Sequence, residues 1–222
     1  MAQNDFSAES DAKYTQKCLC VLVLDVSESM GAIAGGETRQ NYLNAGLQDF
    51  YNEIYHDDVT NQRIEIALIA FNESVKVLQP PASVENFMMP TLTFGGKNTA
   101  LADAITCAIK LVDDRRRWYK VNGQPYHRPW IVLMTDGEPN ADQEVKSLNN
   151  KIKSDTKNKK YIFSRVGVED GNKVILHSFE GRDSDDITFM LPGDVFKVSD
   201  FFKRLWRNID ATISGLDIET PL

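Results

Sequence analysis

Cysteine and histidine are scarce in this 222-residue chain, with three of each. Cys18, Cys20 and Cys107 are too few for a disulfide framework. Cys18 and Cys20 sit two apart on one predicted strand and point to the same face, and Cys107 falls in a helical pattern, so buried free thiols are expected. His56, His127 and His177 lie far apart in dissimilar surroundings, which argues against a histidine-built metal site. Positive charge is not in excess: 25 Lys and Arg against 32 Asp and Glu give a net charge of −7, so nucleic acid is not an expected partner. No apolar run reaches transmembrane length, which leaves no reason to expect membrane insertion. The opening stretch MAQNDFSAESDAKYTQK has no apolar core of a signal peptide, and the expectation is a reducing, cytoplasmic location. Internal repeats, low-complexity tracts and interdomain linkers are also missing. With 42% hydrophobic and 26% charged residues, the composition suits one globular core. A single domain is expected over residues 16–214, between a loose polar arm at 1–15 and a frayed tail at 215–222.

What is present centres on residues 18–31, CLCVLVLDVSESMG. A near-continuous apolar run stops at Asp25, and Asp25, Ser27 and Ser29 follow at alternate positions. Apolar on both faces, the run reads as a central strand of a parallel sheet. Ligands of open α/β sheets bind outside the carboxyl ends of the strands. One carboxylate and two hydroxyls there are hard oxygen donors of the kind Mg2+ takes. Taken alone, serines after a strand do no more than cap the next helix.

Residues 37–55 carry Leu43, Leu47, Phe50 and Ile54 at helical spacing. Residues 63–71 read as a second strand and 74–78 as a third, joined by a tight connection as an antiparallel edge hairpin that Pro80-Pro81 ends. Gly95-Gly96 then allows a tight turn before Asn98 and Thr99, either of which can start the next helix. That helix shows an apolar stripe of Leu101, Ala104, Ile105, Ala108, Leu111 and Val112, and Arg115-Arg116-Arg117 is expected to end it as a solvated, dipole-complementing face. The turn is not a phosphate cradle, because neither a Gly-Lys-Ser/Thr run nor a dinucleotide fingerprint accompanies it. Residues 119–126, around Asn122-Gly123, look like a small hairpin or ordered loop, with Trp118, Tyr119, Tyr126 and His127 exposed or packing it down. The run PWIVLMT is a further buried strand that ends, like the first, at a carboxylate, Asp136. A helix over 142–153, solvated lysines at 157, 159 and 160, and a strand at 161–168 follow. The chain ends in a short helix at 173–179, an edge strand at 187–190 and a last helix capped by Ser199, with Phe202, Leu205, Trp206, Ile209 and Ile213 inward. The sum is an α/β fold: a doubly wound, mostly parallel sheet with one antiparallel edge strand and helices on both faces.

Three strings at the ends of successive patterns, Asp25-x-Ser27-x-Ser29, Gly95-Gly96-x-x-Thr99 and Thr135-Asp136-Gly137-x-Pro139, resemble the metal-ion-dependent adhesion site of the von Willebrand factor A family. The resemblance covers nearly the whole chain and implies a Rossmann-like fold. It also implies a metal site of Asp25, Ser27, Ser29, Thr99 and Asp136. In that family the hydroxyls tend to touch the metal while the aspartates act largely through water. Mg2+ is the implied ion, with Mn2+ or Ca2+ as alternatives. Neutral hydroxyl ligands leave the cation open to a Glu or Asp carboxylate of a protein partner. Without the metal, Asp25, Asp136, Glu28 and Glu138 would repel that carboxylate. Residues 129–139 and the stretch 118–128 further resemble the bacterial, intracellular TerY-like group associated with tellurite resistance. That likeness implies a scaffold or regulator with a PP2C-type phosphatase or a Ser/Thr kinase as partner.

Two other readings compete with metal-dependent capture. A Mg2+-dependent phosphohydrolase or phosphotransferase would use Asp25 as nucleophile, but such enzymes need a second acid where this chain has Ser27. The other is a scaffold whose metal is purely structural. The expectation is a non-enzymatic protein.

Overall fold

The computed structural model describes residues 15–31, 33–34, 37–58, 60–136, 145–168, 179, 187–190 and 195–215. Of the expected elements, the arm at 1–15 but for residue 15, the first three residues of the helix at 142–153, the short helix at 173–179 but for Phe179 and the tail at 215–222 but for Gly215 lie outside them, as do Gly137, Glu138, Pro139 and His177. The strands are β1 (Cys18–Asp25), β2 (Ile33–Ala34), β3 (Glu37–Thr38), β4 (Ile64–Phe71), β5 (Val75–Ser83), β6 (Trp130–Thr135), β7 (Ile162–Val168) and β8 (Ile187–Met190). The helices are α1 (Arg39–Tyr55), α2 (Leu101–Val121), α3 (Val145–Lys157) and α4 (Val195–Ile213).

All eight residues of β1 are buried, which the apolar run requires: a strand with no polar face is stable only between two layers. It pairs in parallel with β4 on one side and β6 on the other, inside a six-stranded sheet of order β5-β4-β1-β6-β7-β8. Only the β4–β5 pair in that sheet is antiparallel, and it forms one edge, as expected. Alternation along β1 feeds two cores. Cys18, Cys20, Leu22 and Leu24 pack with Leu43, Leu47 and Phe50 of α1 and Phe202, Leu205 and Ile209 of α4. Leu19, Val21 and Val23 pack with Ile105, Ala108 and Val112 of α2 and Ile152 of α3. Helices therefore cover both faces, and each buried Leu, Ile, Val or Phe among them contributes about 1.5–3 kcal/mol. Among the described residues no helix is long and apolar enough to cross a membrane. The three cysteines are free, with Cys18 and Cys20 buried.

Several boundaries differ from expectation. Pro80-Pro81 does not end β5, which runs on to Ser83. An edge strand needs no outward donor from proline, and two register shifts on the β4–β5 ladder absorb the irregularity. The arginine triplet does not end α2, which continues to Val121 because Arg115 finds a carboxylate partner at Glu65. Asn122-Gly123 is the stop of this helix rather than a hairpin turn. Gly123 takes a φ of +64°, the left-handed conformation that closes a helix. Tyr119 is consequently buried while Trp118 stays half exposed. Ser199 lies inside α4, which begins at Val195. Serine is tolerated in a helix interior, so the apolar stripe and not the hydroxyl sets the extent.

Lys160 is not free loop charge. Its Nζ donates to Asp155 Oδ1 at 2.6 Å, and Lys151 Nζ donates to Oδ2 at 2.8 Å. Burial alone would raise the Asp155 carboxyl, but these two donors outweigh it and hold the carboxyl below its ordinary range. A carboxyl depressed in the folded state contributes stability above its unfolded pKa and loses it as pH falls through the folded one. Asp155→Asn is therefore expected to cost about 1 kcal/mol at pH 7 in urea unfolding, with the gap to wild type closing as pH falls below the ordinary carboxylate range. A gap independent of pH would show that packing, not charge, is at work.

Candidate metal centre

The chain leaves β1 through β4 and β5 on one side and returns through β6 on the other, so β1 stands where the sheet reverses direction. Carboxyl ends of strands at such a point open onto a crevice. Asp25 ends β1, and Thr135 ends β6 with Asp136 next to it. Asp25 Oδ1 accepts from the Ser27 N–H at 2.9 Å, and Oδ2 accepts from the Thr135 hydroxyl at 2.5 Å. Burial pushes the Asp25 carboxyl up from its ordinary value, against the hydrogen bonds from Ser27 and Thr135.

After Asp25 the backbone enters a 3-10 turn, Glu28–Gly31, and the Met30 N–H donates to the Ser27 carbonyl at 3.1 Å. The turn brings Ser27 Oγ within 3.1 Å of Ser29 Oγ, and Ser29 Oγ donates to Asp136 Oδ1 at 3.0 Å. Ser27, Ser29 and Asp136 thus form one run of oxygens beside the buried Asp25.

Thr99 arrives on the loop before α2. Two backbone bonds tie this loop to the β1 turn: Gly95 N–H to the Val26 carbonyl and Glu28 N–H to the Gly96 carbonyl, both 2.9 Å. Asn72 fastens the loop from the other side. Its Nδ2 donates to the Gly95 carbonyl at 2.8 Å and its own carbonyl accepts from the Ala100 N–H at 2.7 Å. Gly96 has a φ of +89°, and a Cβ there would meet Asn72 Nδ2 at 3.1 Å, so both conformation and space call for glycine. Ala100 holds the cap position of α2 and makes no side-chain cap. The buried Thr99 hydroxyl is therefore not accounted for as a helix cap.

The structure brings Asp25, Ser27, Ser29 and Asp136 together, and the loop that carries Thr99 is bonded to the β1 turn at Gly95 and Gly96. The site is deeper than its position at a strand end implies. Asp25 is 0% exposed and Ser27 3%, because Asp25 still pairs with Phe71 of β4 and the 94–96 loop folds over the turn. Sequence reasoning missed two residues as parts of the site. Thr135, which stands beside Asp136 in the quoted string, aligns Asp25. Asn72, whose signal is an asparagine just after a strand, pins the Thr99 loop.

This donor set suits a hard divalent cation. Among the described residues no three of His, Cys, Asp and Glu gather to hold a metal. The donors here are hydroxyls beside two carboxylates, which fits oxygen-loving Mg2+ and not a nitrogen- or sulfur-seeking ion. A buried carboxylate whose charge the fold only partly offsets is a natural counterpart for a cation.

Residues 20–138, more than half of the chain, match the von Willebrand factor type A domain model. No curated protein matches the sequence. Among solved structures, the vWF domain of the type V pili tip protein Mfa5 from Porphyromonas gingivalis is similar, with 11% identity and a TM-score of 0.63, over 93% of this chain and 98% of that one. Proximal thread matrix protein 1 from the mussel byssus is similar at 13% identity and a TM-score of 0.61, over 90% of this chain and 47% of that one. The chain thus spans about half the length of the mussel protein. A further structure of the mussel protein, with a zinc-occupied MIDAS motif, matches at 12% identity and a TM-score of 0.53, over 90% of this chain and 45% of that one. At such identities a structural likeness speaks for the fold, while the sequence match over residues 20–138 speaks for the family. The chain belongs to the von Willebrand factor type A domain family.

Proposed function

We propose that this domain is a non-enzymatic, metal-dependent protein-binding module that captures a Glu or Asp side chain of a partner. The observation that carries the reading is the convergence of Ser27, Ser29, Asp25 and Asp136 at the ends of β1 and β6, with Thr99 on the loop bonded to the β1 turn. A divalent cation, Mg2+ by donor chemistry, would be held by the three hydroxyls with the two aspartates in support, and would supply the positive charge that a partner's carboxylate seeks. The zinc-occupied MIDAS of the mussel protein supports a divalent ion in this fold.

The burial of Asp25 favours capture over catalysis. A nucleophilic carboxylate must present an oxygen to its substrate, and both oxygens of Asp25 are engaged, one by Ser27 and one by Thr135. Ser27 stands where a phosphotransferase of this kind would need an acid. The resemblance of residues 118–128 and 129–139 to the TerY-like group supports a finer reading: a cytoplasmic scaffold or regulator in a bacterial tellurite or stress response, with a PP2C-type phosphatase or a Ser/Thr kinase as partner. Affinity capture from a bacterial lysate, first with Mg2+ and then with EDTA, tests the module. A partner carrying an acidic contact is expected to bind only with Mg2+; equal capture in EDTA would reduce the metal to a structural role.

A further inference from the structure

A groove of about 290 Å3 opens beside the metal centre and shares its wall. At the shared end it is lined by Val26, Asn72 and Gly95, which position the β1 turn and the Thr99 loop. Lys76 and Leu78 line it further along; they sit two apart on β5 and so share one face of the strand. The opposite wall is the stretch 90–94, which pairs with no strand among the described residues and yet is held fast. Leu92 N–H donates to Asn44 Oδ1 at 2.7 Å, and its carbonyl accepts from Asn44 Nδ2 and Gln40 Nε2 at 3.1 and 3.2 Å.

The groove has the dimensions and charge of a peptide track. From Ser74, just before β5, to Leu78 it runs four residue steps, about 13 Å at strand rise, enough for four residues of an extended peptide. Lys76 pairs with Ala70 and Ala70 with Leu24, so Lys76 lies two strand spacings, roughly 10 Å, from the strand that ends in Asp25. The end near the metal centre carries Asp25, Glu28, Glu73 and Asp136 with Lys97, whose N–H donates to Glu73; Lys76 is the cation among the described residues that line the groove beyond it. Leu78 is 40% exposed and offers an apolar step at the far end.

We propose that the groove holds the partner as an extended acidic peptide, whose first carboxylate seats at the metal centre and whose second, two or three residues along, pairs with Lys76. The proposal rests on the metal-capture reading above and adds to it the class of partner and the direction in which it lies.

The test is an NMR titration of the 15N-labelled protein in Mg2+ with capped hexapeptides carrying one Glu, or two Glu spaced two or three apart. The two-Glu peptides are expected to shift the amides of residues 74–78 and 91–94. They should also bind about fivefold more tightly than the one-Glu peptide, the effect of one exposed ion pair. In Lys76→Gln that advantage should vanish while the one-Glu affinity holds. Silent groove amides, or an advantage that survives Lys76→Gln, overturn the groove. Mn2+ added without peptide reads the metal site separately, by broadening of the Ser27, Ser29 and Thr99 amides. Broadening with silent groove amides sinks the groove alone. No broadening sinks metal capture, and the groove then stands only if the two-Glu advantage in EDTA still depends on Lys76.

Discussion

Asp25→Asn is expected to weaken Mn2+ or Mg2+ binding about 100-fold or more while leaving the domain as stable as wild type, or more so. The two effects separate because of what surrounds the carboxylate. Ser27 N–H donates to one oxygen and the Thr135 hydroxyl to the other, at 2.9 and 2.5 Å. An asparagine amide can accept from Ser27 with its oxygen and donate to the rotatable Thr135 hydroxyl, so both partners keep a hydrogen bond to residue 25. The charge, however, is gone. Burial already pushes this carboxyl up, a sign that holding it ionised costs the empty fold something. Asp25→Ala is the harsher variant. It strips the charge and also leaves the Ser27 amide and the Thr135 hydroxyl without their acceptor, at about 1–3 kcal/mol. Isothermal titration with Mn2+, beside urea unfolding in EDTA, should place the variants in that pattern: cation affinity lost in both, stability lost only in alanine. A cation affinity for Asp25→Asn within threefold of wild type would remove Asp25 from the metal site.

What could be read in advance, and what could not, divides by sequence distance. β1 was legible because an apolar run buried on both faces admits few placements, and Asp25 and Asp136 because each follows such a run directly. The edge hairpin was legible for the same reason: the connection at residues 71–74 is short. Asn72 was not, since its role depends on a loop more than twenty residues on, at Gly95 and Ala100. The arginine triplet was misread because charge near a presumed helix end looks solvated until its partner is known. That partner, Glu65, sits 50 residues earlier on β4. Pro80-Pro81 was misread because proline's effect on a strand depends on which side is paired, and an edge is a property of the sheet. The depth of the site was hidden too. Nothing local shows that the 94–96 loop closes over the β1 turn.

Arg115→Ala is expected to cost about 3 kcal/mol of stability, the largest loss from any single charged residue considered. Glu65 is buried at the start of β4, and three donors meet its carboxylate there. Arg115 Nε and Nη2 bind its two oxygens at 2.7 and 2.5 Å, and the Tyr119 hydroxyl donates at 2.6 Å. Burial and the Glu65 carboxylate push the Tyr119 hydroxyl above its ordinary pKa, so it remains a donor throughout the accessible pH range. Removing Arg115 leaves a buried carboxylate with one neutral donor. It also removes the guanidinium stacked 4.2 Å from the Trp118 ring. Arg115→Lys should recover less than half of the loss, because an ammonium cannot span both oxygens. Glu65→Gln combined with Arg115→Met should recover most of it, since no charge is then left unpaired. Urea unfolding of the four proteins decides the matter, and an Arg115→Ala loss under 1 kcal/mol would refute it. Mn2+ affinity should be untouched in every variant. Glu65 stands at the opposite end of β4 from Phe71, about 20 Å of strand away from the metal centre. The network therefore braces α2 against the sheet, and the aromatic residues that follow the arginines belong to that brace.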